Sequence, residues 1–330
     1  MGIRFLIRCD EDVKNGFGHF SRCLSLARGI RKKLPQSKIV FLGNYDDIPA
    51  KLIKKYQMEY VNVPGSLIEE LRYAEDFDYF ILDKYFITQE YIDRYCEAPI
   101  KFIKIDDFND FKLDKIDLVV NFCYRATSYA YTSKKSCLGI RYFPAREELR
   151  EIRLANTNQF KDQMENIAIF MGAADQYGAG LKITTMLDQI LKDSRISLIT
   201  NQNTRRPQAT MNNNQIQLLP VTIDVEQYLK DVDAFITGGG LTKYDCAYSC
   251  IANASLSQNP DQDAEVLSFA KAGLTYYLGT AESLETNKDQ VMKELKKFCS
   301  KDVRKEIVKC SREKFSIDST ENLVKAVLEV

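Results

Sequence analysis

Along the first third of the chain, short apolar runs alternate with stretches whose apolar residues recur every three or four positions. The runs Ile3–Ile7, Lys38–Leu42, Tyr60–Val63, Asp78–Leu82, Ile100–Ile105 and Leu118–Asn121 have the length of buried strands. Between them, the segment opening at Phe20 and the segments Ile48–Tyr56, Ser66–Ala74 and Thr88–Tyr95 carry the helical period. Strands alternating with helices predict a parallel, doubly wound sheet. A second series repeats the logic without repeating the sequence. It predicts strands at Asn166–Met171, Ile196–Thr200, Gln215–Leu219, Ala234–Thr237 and Ala252–Ser257, with helices at Gly180–Leu191, Asp224–Lys230 and Leu241–Cys250. The stretch Ala145–Asn166 between the series is charged and rich in Asn and Gln, and it is read as a linker. Two domains follow, residues 1–150 and 160–330. Asn-rich Asn201–Asn214 reads as a connection, and Glu321–Val330 as a terminal packing helix.

Each series contains a glycine-bearing turn between a strand and a helix. In the first, Ile3–Cys9 leads through a polar loop to Gly16-Phe17-Gly18-His19 and then to apolar residues at Phe20, Cys23, Leu24, Ala27 and Ile30. Glycines there let the backbone approach a ligand closely. His19, the single histidine of the chain, falls in the first turn of the helix, whose positive end favours a neutral ring able to accept a proton. The alternative is a histidine that only caps its helix. In the second series Gly238-Gly239-Gly240 joins strand to helix, with Thr242 at the helix start and Asp245 a turn further on. Backbone N–H groups of such a turn can wrap a pyrophosphate, although glycines also serve tight strand–helix packing. Two further spots lie at strand ends, where α/β proteins bind ligands: Asp83-Lys84-Tyr85 and Asp106-Asp107. Neighbouring strand residues point to opposite faces, so the paired aspartates do not simply share one site, and Asp107 also reads as a solvated loop carboxylate.

With 330 residues, 45% of them apolar and 28% charged, the chain is long enough for two ordinary globular domains. Lys+Arg and Asp+Glu are equal at 46 each, so no global charge points to nucleic acid. No apolar run reaches the roughly 20 residues of a membrane span, and the N-terminus lacks a signal-peptide pattern. The nine cysteines are scattered without a C-x-x-C pair, which reads as reduced thiols in a cytoplasmic protein with no metal site or cofactor.

The residues Arg8, Asp10, Gly16, Gly18, His19, Arg22, Cys23, Leu24, Leu26 and Ala27 match a known N-terminal signature in order and spacing. The chain resembles the UDP-2,4-diacetamido-2,4,6-trideoxy-β-L-altropyranose hydrolase family of the pseudaminic acid pathway and the related spore-coat polysaccharide proteins. That resemblance implies a GT-B-like α/β fold of two Rossmann-like domains facing a central cleft, with the terminal helix at Glu321–Val330 crossing back onto the first domain. It implies His19 as the catalytic base, with Arg8, Asp10, Gly16, Gly18, Tyr85 and Asp106 lining the sugar pocket. It further implies a nucleotide held by Gly238, Gly239, Gly240, Thr242, Asp245 and Gln262. The chain departs from the family pattern at Asp245, where Glu is expected, at Asp261, where Asn is expected, and in Gly172-Ala173-Ala174-Asp175, which resembles a Gly-Gly-Ser-Asp turn. The expected activity is metal-free hydrolysis of a UDP-sugar by a monomer. A GT-B glycosyltransferase and a catalytically silent sugar-nucleotide-binding paralogue stay open as rivals.

Overall fold

A computed structural model describes residues 2–9, 17–156, 160–200, 213–222 and 224–330. The predicted sites Asp10 and Gly16, and nearly all of the Asn-rich connection, lie outside the described residues. The chain divides into two compact units, one of residues 2–9, 17–145 and 318–330, the other Arg146–Ile317.

The first unit runs β1 (Arg4–Cys9), α1 (Gly18–Lys33), β2 (Lys38–Leu42), α2 (Asp47–Lys55), β3 (Glu59–Val61), α3 (Leu67–Ala74), β4 (Tyr79–Asp83), α4 (Gln89–Glu97), β5 (Lys101–Ile105), β6 (Leu118–Asn121) and β7 (Lys135–Leu138). Its strands form one sheet in the order β3-β2-β1-β4-β5-β6-β7, and every neighbouring pair is parallel. Parallel strands are covered on both faces, which is why Phe5, Leu6 and Ile7 are all fully buried although they alternate in direction. The polar strand β7 carries no apolar run and was not predicted. The C-terminal helix, Ser319–Leu328, belongs to this unit and packs on α1. Gly29 permits that approach, because a Cβ there would lie 2.9 Å from methyl groups of both Thr320 and Val324.

The second unit opens where a linker was predicted, with α5 (Glu147–Ala155), whose Leu149 and Ile152 are buried. Arg153 on the same helix is also buried and donates to the carbonyls of Tyr248, Arg312 and Phe315. The order continues β8 (Asn166–Phe170), α6 (Ala179–Ile190), β9 (Arg195–Thr200), β10 (Gln215–Pro220), β11 (Ala234–Thr237), α7 (Thr242–Tyr248), β12 (Asn253–Ser257), α8 (Pro260–Lys271), β13 (Tyr276–Thr280), α9 (Ser283–Thr286), α10 (Lys288–Phe298) and α11 (Lys301–Lys314). The helix predicted at Asp224–Lys230 is a short 3-10 turn, Val225–Tyr228. The sheet order is β10-β9-β8-β11-β12-β13, again parallel throughout. Both sheets therefore reverse direction of growth once, between β1 and β4 in the first and between β8 and β11 in the second. Open α/β sheets bind ligands at that reversal, beyond the carboxyl ends of the strands. Among the described residues, no helix is long and apolar enough to cross a membrane.

Candidate functional site

At the reversal of the first sheet, strand β1 pairs with β4 so that Cys9 lies opposite Asp83, the last residue of β4. Helix α1 begins just beyond, and three-residue spacing puts His19 and Arg22 on one helical face. Both turn onto Asp83. His19 Nδ1 lies 2.7 Å from Asp83 Oδ1. Arg22 donates from Nε to Asp83 Oδ2 and from Nη2 to Oδ1, both at 2.6 Å. The other edge of the same guanidinium reaches Asp107, from Nη1 to Oδ1 at 3.0 Å and from Nη2 to Oδ2 at 2.9 Å. Asp107 also accepts from the Tyr85 hydroxyl at 2.6 Å, and the Tyr85 ring meets the His19 ring edge-on at 4.2 Å between centroids. Arg22 is thus a planar fork shared by two carboxylates, a geometry lysine cannot supply.

The cluster is desolvated, with Asp83 only 1% exposed. Burial by itself would push the Asp83 carboxyl up, but the Arg22 charge and the hydrogen bonds from Arg22 and His19 outweigh it and hold it well below the usual carboxylate range. Asp107 behaves alike: burial raises it, and the Arg22 charge with its hydrogen bonds brings it below its ordinary value. For Arg22 itself, burial acts against the charge, and the two aspartates more than offset it. Burial and Asp107 together push the Tyr85 hydroxyl up, so it remains a donor. An ionised Asp83 can only accept hydrogen bonds, so His19 Nδ1 carries the proton in this arrangement. The approach of Arg22 Nη2 to the same nitrogen, 3.1 Å, then sets two donors side by side and is a consequence of their shared acceptor. With Nδ1 protonated, the neutral ring keeps its lone pair on Nε2, which makes no hydrogen bond to a described residue. His19 does not cap its helix, since the N-cap position is Phe17 and no side-chain capping bond forms there.

Other residues expected in this pocket lie elsewhere. Gly18 opens α1, with no heavy atom within 4 Å of where a Cβ would be, so its backbone is accessible. Arg8 is 5% exposed and pairs with Glu70 at 3.6 Å, inside the fold. Asp106 is also internal, since its carboxylate takes Lys104 Nζ at 2.7 Å, the Tyr131 hydroxyl at 2.6 Å and the Asn109 N–H at 2.7 Å. The two residues follow the end of β5 at Ile105, and their carboxylates part there, Asp106 onto Lys104 and Tyr131 and Asp107 onto Arg22 and Tyr85. Asp107, open to reading as a solvated loop carboxylate, is the one beside His19. Sequence reasoning placed Asp83 only within a strand-end spot and Arg22 only within the matched signature, and gave neither a role in the site. The available signal was the i, i+3 pairing of His19 with Arg22, together with an aspartate ending a buried strand.

The second reversal is built differently. Gly238 follows β11, and a Cβ there would lie 2.3 Å from the Met171 carbonyl oxygen. Gly239 takes φ +82° and has Val266 and Gln262 close to its Cβ position. Those two glycines are demanded by packing and conformation. Gly240 has nothing within 4 Å and presents open backbone. Below the turn, buried Lys243 donates to the carbonyls of Gly239 at 2.6 Å and Gly240 at 3.3 Å. Thr242 opens α7, half-buried. Gln262 lies beside Gly239, and its side-chain oxygen accepts from the Gln258 N–H at 3.3 Å while its own N–H donates to Asn259. Asp245 turns inward: it is 3% exposed and bonded at 3.1 Å to Arg146, which also meets Glu226 at 2.8 Å. Burial raises the carboxyl groups of both Asp245 and Glu226, with Arg146 pulling the other way. Asp175 likewise turns inward, capping α6 through the N–H groups of Ala179 and Gly180. Among the described residues, no three His, Cys, Asp or Glu side chains are arranged to hold a metal ion.

Two parallel sheets with flanking helices, each with one topological reversal, define a GT-B-like α/β protein. No family model matches the chain. It is similar to the spore coat polysaccharide biosynthesis protein SpsG of Bacillus subtilis strain 168, with 23% identity over 293 residues, 84% of each chain. Among solved structures it matches spinosyn rhamnosyltransferase SpnG, with TM-score 0.67, 13% identity, and coverage of 99% of this chain and 100% of that one. It also matches the S. aureus MnaA–UDP co-structure, with TM-score 0.63, 9% identity, and coverage of 98% and 95%. The fold is GT-B-like, and the chain is a distant relative of SpsG.

Proposed function

We propose that this chain is an enzyme acting on a nucleotide-sugar in surface-polysaccharide or nonulosonic acid synthesis, and that it hydrolyses its substrate to UDP and free sugar. The observation that carries the reading is the His19–Asp83 pair at the reversal of the first sheet. In this reading His19 Nε2 takes a proton from water, whose oxygen attacks the anomeric carbon. The bond from that carbon to the diphosphate oxygen breaks with its electrons leaving on UDP, and the anomeric configuration inverts. Asp83 orients the ring and stabilises the imidazolium formed, the part the buried aspartate plays in Ser-His-Asp triads. Arg22, Asp83 and Asp107 sum to one negative charge, which favours positive charge developing on the sugar. A base so placed contributes about 10²–10⁴-fold in rate.

We assign the diphosphate to the open backbone at Gly240 with Gly239, and neighbouring contacts to Gln262 and Thr242; Asp245 is left out because Arg146 holds it. The likeness to SpsG and the UDP in the MnaA co-structure support a nucleotide-sugar of this kind. A second reading is a glycosyltransferase, favoured by the match to a rhamnosyltransferase; the same base would then deprotonate an acceptor hydroxyl. Mass spectrometry of products from a panel of UDP-sugars, with and without acceptors, tests the proposal. Free sugar and UDP without acceptor, lost in His19→Asn, are expected. Turnover only with an acceptor hands the case to the transferase, and full activity in His19→Asn overturns both.

A further inference from the structure

Phenylalanine is among the residue types most often buried, yet Phe86 is 91% exposed. It also holds φ +53°, a left-handed conformation that a bulky side chain adopts only against steric resistance. It directly follows Tyr85, and the two rings lie 6.4 Å apart and nearly perpendicular. Phe108, 42% exposed, flanks Tyr85 from the loop after β5 at 5.4 Å. The Tyr85 hydroxyl is bound inward to Asp107, so what Tyr85 presents outward is its ring. The aromatic groups therefore run without interruption from His19 through Tyr85 to Phe108 on one side and Phe86 on the other. By contrast Phe80 and Phe102, on the strands β4 and β5 that lead into these loops, are buried.

We propose that Phe86 and Phe108, with the ring of Tyr85, form the platform on which the substrate's sugar lies, and that they set sugar specificity. This rests on the nucleotide-sugar reading above. Ring faces carry the negative side of the aromatic quadrupole and attract polarised C–H groups, which one face of a pyranose supplies. A surface made of three rings, with its one hydroxyl already occupied, selects for the carbon-rich face of a sugar. The exposed position and strained backbone of Phe86 place a ring where a sugar next to His19 would meet it. These residues orient the substrate and leave the proton transfer to His19.

The chain contains no tryptophan, so Phe86→Trp installs a single fluorescent reporter on the platform. Titrations with UDP alone and with a panel of UDP- and dTDP-sugars are run beside calorimetry. The platform predicts that emission shifts with each sugar nucleotide that calorimetry shows to bind, and not with UDP. Phe86→Gly keeps the left-handed backbone and removes the ring. It is expected to raise KM on the order of tenfold, equivalent to about 1.4 kcal/mol, with kcat and its pH profile unchanged, and Phe86→Tyr should restore KM. Silent emission despite calorimetric binding overturns the platform and leaves the nucleotide-sugar reading standing. Calorimetric failure with every sugar nucleotide overturns that reading and the platform with it. A shift produced by phosphatidylglycerol vesicles and by no sugar nucleotide assigns the rim to a lipid surface and overturns the platform.

Discussion

The two sheet reversals share a strand order and a glycine-bearing turn, but they treat charge in opposite ways. At the first, charged side chains gather where ligands bind: Arg22 joins Asp83 to Asp107, and Asp83 holds His19. At the second, charged side chains turn inward, Lys243 onto the turn's own carbonyls and Asp245 onto Arg146, leaving bare backbone at Gly240. One edge offers a base with its orienting partners; the other offers N–H groups and open space. A shared topology places both turns at the same point of their sheets, and the side chains make one turn charged and the other bare.

The largest expected effect comes from breaking the first cluster. Arg22→Met leaves two buried carboxylates without their cation, and should destabilise the protein by about 3–5 kcal/mol, measured by denaturant unfolding. A loss under about 1 kcal/mol, the level of an exposed pair, would show the cluster to be solvated. Next is His19→Asn, which should lower kcat at least about 10²-fold as a lost general base does, with UDP affinity unchanged by calorimetry. Asp83→Asn should lower kcat as well, through the ring's tautomer and orientation, and its activity should not follow UDP affinity either.

The reversals also differ in the sign of their pH response. Asp83 and Asp107 have folded pKa values below their ordinary ones. Their stabilisation is therefore complete above the unfolded carboxylate range near pH 4 and is lost as pH falls through the folded values. Asp245 and Glu226 are shifted upward, so their contribution is complete below that range and declines as pH rises through their folded values. Acid unfolding of Asp83→Asn should consequently be shallower than that of the unmodified protein, and that of Asp245→Asn should not be. Equal acid slopes for the two variants would contradict the contrast. The smallest effects concern the glycines. Gly239→Ala meets positive φ and Val266, and should cost about 1–3 kcal/mol. Gly240→Ala should leave stability within about 0.5 kcal/mol yet weaken UDP binding, and unchanged UDP affinity there would remove Gly240 from the nucleotide site.

Much of this was legible in the chain. Apolar runs placed nearly every strand, and the sequence put His19 in the first turn of its helix, where the structure has it. What was hidden depends on partners far apart in sequence. Asp83 and Asp107 become site residues only because Arg22, 61 and 85 positions away, reaches both. Asp245 is withdrawn from solvent by Arg146, 99 positions away, a pairing no local pattern carries. The segment read as a linker holds α5 because its buried face needs only Leu149, Ile152 and the aliphatic part of Arg153. Strand β7, Lys-Ser-Cys-Leu, is held by its ladder with β6 rather than by its own hydrophobicity.

The central claim, that His19 directs water onto the sugar's anomeric carbon, is tested most directly by running the reaction in heavy-oxygen water and weighing both products. Attack at carbon breaks the sugar C–O bond, so the account predicts one labelled oxygen in the free sugar and none in the UDP. Label in the nucleotide product, or release of UMP with sugar 1-phosphate, would mean attack at phosphorus and contradict it.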